Sequence, residues 1–190
     1  MKNLKLLILA LIVLFSFSFT TAEAQNKKID VSKSLITWTG KKITGQHEGT
    51  IKFKEGVLVF KNNKVVGGNF VADMTTLNNT DQTGSSKAKL EGHLKSDDFF
   101  GIYNFNTSML DFRNITPKAN NVYTVIGSLT IKGVSHPIIF DLIVKGNSAT
   151  AKLTVDRTKY SIRYGSGSYF DDLGDKTIYD QFDLKVDLVF

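Results

Sequence analysis

The sequence predicts an all-β domain of about eight antiparallel strands carrying one short helical insert. Three observations predict it. Apolar and polar residues alternate with period two over most of the chain, Gly, Asn and Pro signals separate the alternating runs, and a single stretch has helical spacing. Strands with one polar face and short connections belong to antiparallel sheets.

The elements follow in order. Ile36 and Trp38 alternate with Thr37 and Thr39, and Ile51 and Phe53 with Thr50, Lys52 and Lys54. Val57 to Phe60 is a short apolar run closed by Asn62-Asn63, after which Val66, Gly68, Phe70, Ala72 and Met74 are expected on one face. The exception is Thr83 to Tyr103, where Ala88, Leu90 and Leu94 have helical spacing and Ser96 precedes Asp97-Asp98-Phe99-Phe100 as an N-cap would. Alternation resumes with Tyr123, Val125, Gly127, Leu129 and Ile131, turns at Gly133, and returns through Ile138, Phe140, Leu142 and Val144. Gly146-Asn147 is a two-residue hairpin signal before Ala151, Leu153 and Val155, and Phe182, Leu184, Val186 and Leu188 close the chain. Segments 123–132, 136–145 and 181–190 are ten residues each. Such strands extend ~33 Å at ~3.3 Å per residue. They can close as a two-sheet sandwich with a filled core or as a barrel, and alternation alone leaves both open.

Composition narrows the class. The chain has 190 residues with 42% hydrophobic and 22% charged, the profile of one globular domain. With no Cys it cannot hold a disulfide scaffold, a thiolate metal site, a thiol nucleophile or a lipoprotein anchor. Lys2 and Lys5, the stretch of apolar residues and Ser from Leu6 to Phe19, and Ala22-Glu23-Ala24 read as a cleavable signal peptide over residues 1–24, cut before Gln25. The apolar stretch is 14 residues, short of the ~20 that a spanning helix needs. The expectation is therefore a domain over 25–190 exported to a bacterial periplasm and folded without disulfides. Losing Lys2, Lys5 and Glu23 leaves 22 basic against 17 acidic residues, a net charge of +5. A Lys excess of that size suits a solvated surface, or else contact with anionic lipid headgroups or phosphate-bearing ligands. The lysines are scattered rather than massed with aromatics, so no nucleic-acid partner is expected.

Chemistry-bearing patterns are few. His47, His93 and His136 have no metal-ligand spacing, so no metal is expected. His47 shares its face with Gly49, Ile51 and Phe53, which makes it either a polar handle inside the domain or a capped or exposed residue. His136-Pro137 sits at a strand entry in a structural role. Gly165-Ser166-Gly167-Ser168 reads as a loop, and Asp171, Asp172, Asp175 and Asp180 lack the order of a calcium loop. No catalytic constellation assembles and no cofactor is implied, so a binding protein is expected rather than an enzyme.

Leu90-Glu91-Gly92-His93-Leu94-Lys95-Ser96-Asp97-Asp98-Phe99-Phe100, Gly127-Ser128-Leu129-Thr130-Ile131-Lys132-Gly133-Val134-Ser135-His136-Pro137-Ile138 and Asp156-Arg157-Thr158-Lys159-Tyr160 closely resemble the YceI-like family of bacterial periplasmic proteins. The run from Tyr164 to Lys176 looks like the form seen in Bacteroidetes-type members, and the likeness spans roughly Ile29 to Phe190. The resemblance implies a lipocalin-like, extended, eight-stranded antiparallel barrel. It also implies a long apolar tunnel that binds a polyisoprenoid such as a prenyl quinone or prenyl pyrophosphate. On that reading the lumen contacts are Trp38, Phe53, Phe70, Met74, Val125, Leu129, Phe140, Leu142, Phe182 and Leu184, with Phe99 and Phe100 either capping one end or plugging it as core. Arg157, beside Asp156, is expected in a structural ion pair. The expected partners are an isoprenoid or other long-chain lipid, a transient membrane surface, and a second copy of the chain if the barrel leaves an open edge. The competing reading is a ligand-free envelope interaction domain with a solid core.

Overall fold

Long strands with a single apolar face can bury that face by curling the sheet until its edges meet, and the computed structural model of the chain shows this closure. It describes residues 23–119 and 121–190, so most of the expected signal peptide lies outside the described residues. The strands are β1 (Gln25–Lys28), β2 (Leu35–Lys42), β3 (Gly45–Lys61), β4 (Lys64–Asn79), β5 (Thr107–Pro117), β6 (Val122–Ile131), β7 (Val134–Lys145), β8 (Ser148–Asp156) and β9 (Ile178–Val189), with helix α1 at Gly84–Lys95. From β2 to β9 every strand pairs antiparallel with its sequence neighbours, and β9 returns to β2. The result is a closed up-and-down barrel of eight strands. The short β1 lies against the far half of β3, in line with β2. Each of the eight barrel strands has a hydrogen-bonded neighbour on both sides along at least part of its length.

The expected count of about eight is reached by a different partition. Residues 51–60 belong to one strand, β3, whose register with β4 shifts between Phe53 and Glu55. That bulge moves the buried row from His47, Gly49, Ile51 and Phe53 to Gly56, Leu58 and Phe60. β5 has no counterpart in the sequence reading. Its inward row of Ser108, Leu110 and Phe112 is broken by a register shift before Asn114, so the alternation is short and half polar. A further shift opposite Val59 and Phe60 turns Val66 outward, 50% exposed, and puts Val65 inside at 2%. This corrects the expected row of Val66 with Phe70, Ala72 and Met74. Ser96 also changes role: it closes α1 instead of opening a helix, its N–H donating to the Gly92 and His93 carbonyls and its Oγ to the His93 carbonyl at 2.8 Å.

The two ends of the barrel differ. At one end tight turns join β3 to β4, β5 to β6 and β7 to β8, and Leu58, Val65, Tyr123, Val125, Leu142 and Leu188 fill the interior. All long connections, residues 80–106 and 157–177, gather at the other end. A seam also opens there, because β7 and β8 pair only through Leu142–Lys145 and Ser148–Ala151. The 3-10 turn Arg157–Tyr160 closes it with Tyr160 and Ile162, both almost fully buried. Asp156 starts this turn by accepting hydrogen bonds from the Thr158 N–H and hydroxyl.

Truncation tests the bulge at Val66. Val65→Ala should cost about 2 kcal/mol of stability, whereas Val66→Ala should stay within about 0.5 kcal/mol of the parent. Urea unfolding of the two variants measures the difference, and equal losses would mean that the row is misassigned.

Candidate functional site

Side-chain size decides where the barrel is hollow. Toward the loop-bearing end the inward rows carry Gly40, Ala72 and Ser108, which leave a cavity of about 290 Å³. A second void of about 70 Å³ lies among Phe53, Phe70, Leu129 and Phe140. Ile36, Ala72, Ser108 and Leu184 line both, so the two voids adjoin with these four side chains as the constriction between them. For scale, a cavity of ~150 Å³ holds benzene. Gly40 leaves open space, since a Cβ added there would meet nothing within 4 Å. Gly49 does the opposite. A Cβ would stand 2.5 Å from the Trp38 ring and 2.0 Å from the Asn78 carbonyl, so glycine is required for the indole to lie in the cavity wall.

The roof comes from the insert. Leu90 and Leu94 of α1, with Phe99 and Phe100 just beyond it, cover the cavity, and Phe100 meets Phe182 edge-on at 6.3 Å between centroids. The helix buries no residue fully, so polar contacts hold it down. Lys87 Nζ donates to Asn78 Oδ1 at 2.8 Å and to the Asn79 carbonyl, while the Asn79 N–H donates to Glu91 Oε1 at 2.8 Å. Lys132 donates to the Asp97 carbonyl.

Arg157 forms part of the wall. It is 3% exposed, and its guanidinium donates to the carbonyls of Ile162, Ile178 and Tyr179 at 2.9–3.0 Å, with Asp180 at 3.5 Å. The expected ion pair is thus present, but backbone carbonyls take most of the hydrogen bonds. Burial works against the Arg157 charge, while Asp180 and Asp156 support it. Burial beside Asp156 pushes the Tyr160 hydroxyl up to about 12. His93 packs edge-on against Phe99 and Tyr164, which ties the insert to the 161–177 loop.

At the mouth, Lys42 follows Ile36, Trp38 and Gly40 at alternate positions of β2, and His47 stands opposite Gly40 on β3. His47 Nδ1 bonds Asp81 Oδ2 at 2.8 Å, so it lines the cavity with one nitrogen engaged. Partial burial raises the Asp81 pKa, but hydrogen bonds from His47, the Glu48 N–H and Asn79 outweigh it and hold the carboxyl at about 2. Lys41 pairs with Asp183 at 2.8 Å.

The sequence-predicted contacts divide by depth. Trp38, Met74, Phe99, Phe100, Phe182 and Leu184 line the large cavity. Phe53, Phe70, Leu129, Phe140 and Leu142 line the smaller void, and Val125 lies in the packed end and lines neither. Sequence reasoning missed Ile36, Ala72 and Ser108 at the constriction and Lys42 at the mouth. The alternation of β2 and β4 contained the signal for Ile36, Lys42 and Ala72; Ser108 belongs to the strand that was missed.

Fold and cavity together define a closed, up-and-down, lipocalin-like barrel with an apolar slot entered from one end. The chain belongs to the YceI-like family, whose domain model matches residues 28–190. Its backbone resembles that of BcnA from Burkholderia cenocepacia, with TM-score 0.68 and 21% identity over 85% of this chain and 99% of that one. It also resembles a polyisoprenoid-binding domain from Saccharophagus degradans implicated in plant cell wall breakdown, with TM-score 0.57 and 13% identity over 87% and 97% of the two chains. The YceI protein of Campylobacter jejuni follows at TM-score 0.54 and 18% identity, over 71% and 80%. Among curated proteins none matches this chain.

Two outcomes are expected. Replacing Arg157 by Met strips one buried and two half-buried carbonyls of their donor and should destabilise the fold by about 3 kcal/mol or more in urea unfolding. Asp30, held by Ser32 and Lys33, also sits at about 2, like Asp81. Unfolded aspartates titrate near ~3.9, so both carboxylates favour folding above that pH and lose their effect as pH falls toward 2. The urea midpoint should therefore drop between about pH 4 and about pH 2, and drop less in Asp81→Asn.

Proposed function

We propose that this protein binds, without making or breaking a bond, the apolar chain of a long-chain isoprenoid lipid such as a prenyl quinone or prenyl pyrophosphate. It then carries or stores that lipid in the periplasm. The observation that carries this reading is the slot of about 290 Å³ walled by aliphatic and aromatic side chains. Membership of the YceI-like family supports it at the level of lipid binding. The likeness to a polyisoprenoid-binding domain supports the linear shape of the guest. A solid-barrel interaction domain accounts only for the turn-bearing half, where Leu58, Val125 and Leu142 meet.

Burying one CH₂ is worth ~0.8 kcal/mol. About ten carbons in the slot therefore give a gross ~8 kcal/mol, from which ordering the tail subtracts several. Longer tails need the constriction between the two voids to widen. Export is read from the leader, whose expected end at residue 24 is followed directly by β1. Contact with a membrane surface has support in the position of the exposed aromatics. Among the described residues Tyr103, Tyr164, Tyr169, Phe170 and Tyr179 all lie at the open end, and such rings settle at bilayer interfaces.

Organic extracts of protein purified without detergent should contain a prenyl lipid by mass spectrometry, and added prenyl quinone should quench Trp38, the only tryptophan. Gly40→Leu supplies the sharper control. It fills open space in the mouth at unstrained backbone, so the variant should unfold like the parent while retaining several-fold less lipid. An empty extract, no quenching, and a Gly40→Leu protein indistinguishable from the parent would together overturn the reading.

A further inference from the structure

Charge is segregated along the barrel axis. Around the three tight turns of the packed end, residues 56–72, 112–140 and 142–155 contain no Asp or Glu. Asp81, Asp97, Asp98, Asp171, Asp172 and Asp175 all lie in the long connections at the mouth. Lys61 and Lys64 flank the first turn, Asn62-Asn63, and Lys145 precedes the third, Gly146-Asn147. Lys27 Nζ stands over the rings of Phe60 and Phe190, 5.0 and 5.3 Å from their centres, and the Phe190 N–H donates to the Asn147 carbonyl, which links the first turn to the third. In the second turn Lys118 is paired with Asp141. Lys27, Lys61, Lys64 and Lys145 pair with no carboxylate among the described residues. Lys61 and Lys64 are moreover cross-strand partners, and like charges held opposite each other cost stability. Another facing pair of lysines, Lys152 and Lys185, has Asp187 beside it to relieve the repulsion.

We propose that the turn-bearing end is a docking surface for an anionic lipid bilayer, with Lys27, Lys61, Lys64 and Lys145 among the headgroups and the mouth pointing away from that leaflet. The carboxylates of the long connections then stand far from the lipid charge, which fixes the orientation. A protein partner would be held by aromatic anchors seated in pockets, and the exposed aromatics of this chain are at the other end. Ammonium groups spread over separate turns suit the diffuse charge of a lipid surface instead. Val66, exposed two residues beyond Lys64, adds an apolar side chain to the same face. This contact is independent of what the slot holds and of the mouth aromatics, whose interfacial preference needs no lipid charge.

Co-sedimentation with phosphatidylcholine vesicles, with and without phosphatidylglycerol, tests it. Vesicles containing phosphatidylglycerol should bind at least about tenfold more tightly, and raising salt from about 0.1 M to about 0.5 M should remove the difference. The triple variant Lys61→Gln, Lys64→Gln, Lys145→Gln should lose on the order of a hundredfold in affinity, about fivefold for each ammonium. A second triple, Lys89→Gln, Lys159→Gln, Lys176→Gln, removes the same charge from exposed positions at the mouth end and should keep most of the binding. All six side chains are exposed, so both triples should unfold in urea like the parent. Binding that does not distinguish the two vesicles would overturn the docking surface. Equal losses in the two triples would overturn it as well, because net charge and not its position would then be the cause.

Discussion

Eight strands curled into a closed barrel leave an interior about one layer of side chains deep, so the residue types on the inward rows set the space at each level. The β9–β2 pairing imposes this constraint by joining the last strand to the first of the barrel. Where the rows supply Leu58, Val125, Tyr123 and Leu142 the interior is full, and where they supply Gly40, Ala72 and Ser108 it is not. The packed half gives the fold its stability in a chain without disulfides, and the open half is free to take a guest.

The long connections gather at the open end. There they do two separate jobs. Residues 157–162 complete the wall where β7 and β8 part, and Arg157 fastens that patch to the start of β9 through backbone carbonyls. The α1 insert roofs the cavity instead of completing it. It contributes apolar side chains to the slot, with Phe99 buried in the core, and is tied to the barrel by hydrogen bonds of Lys87, Glu91 and Lys132.

Much of the fold was legible because barrel strands state their orientation locally. The rows Tyr123 to Ile131, Ile138 to Val144, Ala151 to Val155 and Phe182 to Leu188 run inward as alternation requires. The errors fall at bulges. Lys54-Glu55, Val66 and the residues before Asn114 each shift the register, and each shift reverses which face a later residue occupies. Nothing in the local pattern marks a bulge as different from the end of a strand, so β3 reads as two strands and β5 as none. Ser96 misled for a related reason, since a serine beside a helix caps either end.

The alternating residues alone determined that the chain forms antiparallel β structure with an apolar inner face, because a side chain's direction on a strand depends only on its own backbone. The four runs that match the YceI-like family pointed to one barrel rather than a sandwich, and Cys-free composition settled that packing holds it together. Only the tertiary structure decided how far the hollow extends and why Val125 packs while Trp38 and Leu184 line open space. Void and charge balance are properties of facing strands. They depend on which residues closure brings to the same level from positions as distant as Gly40 and Phe182, and no local pattern encodes that meeting.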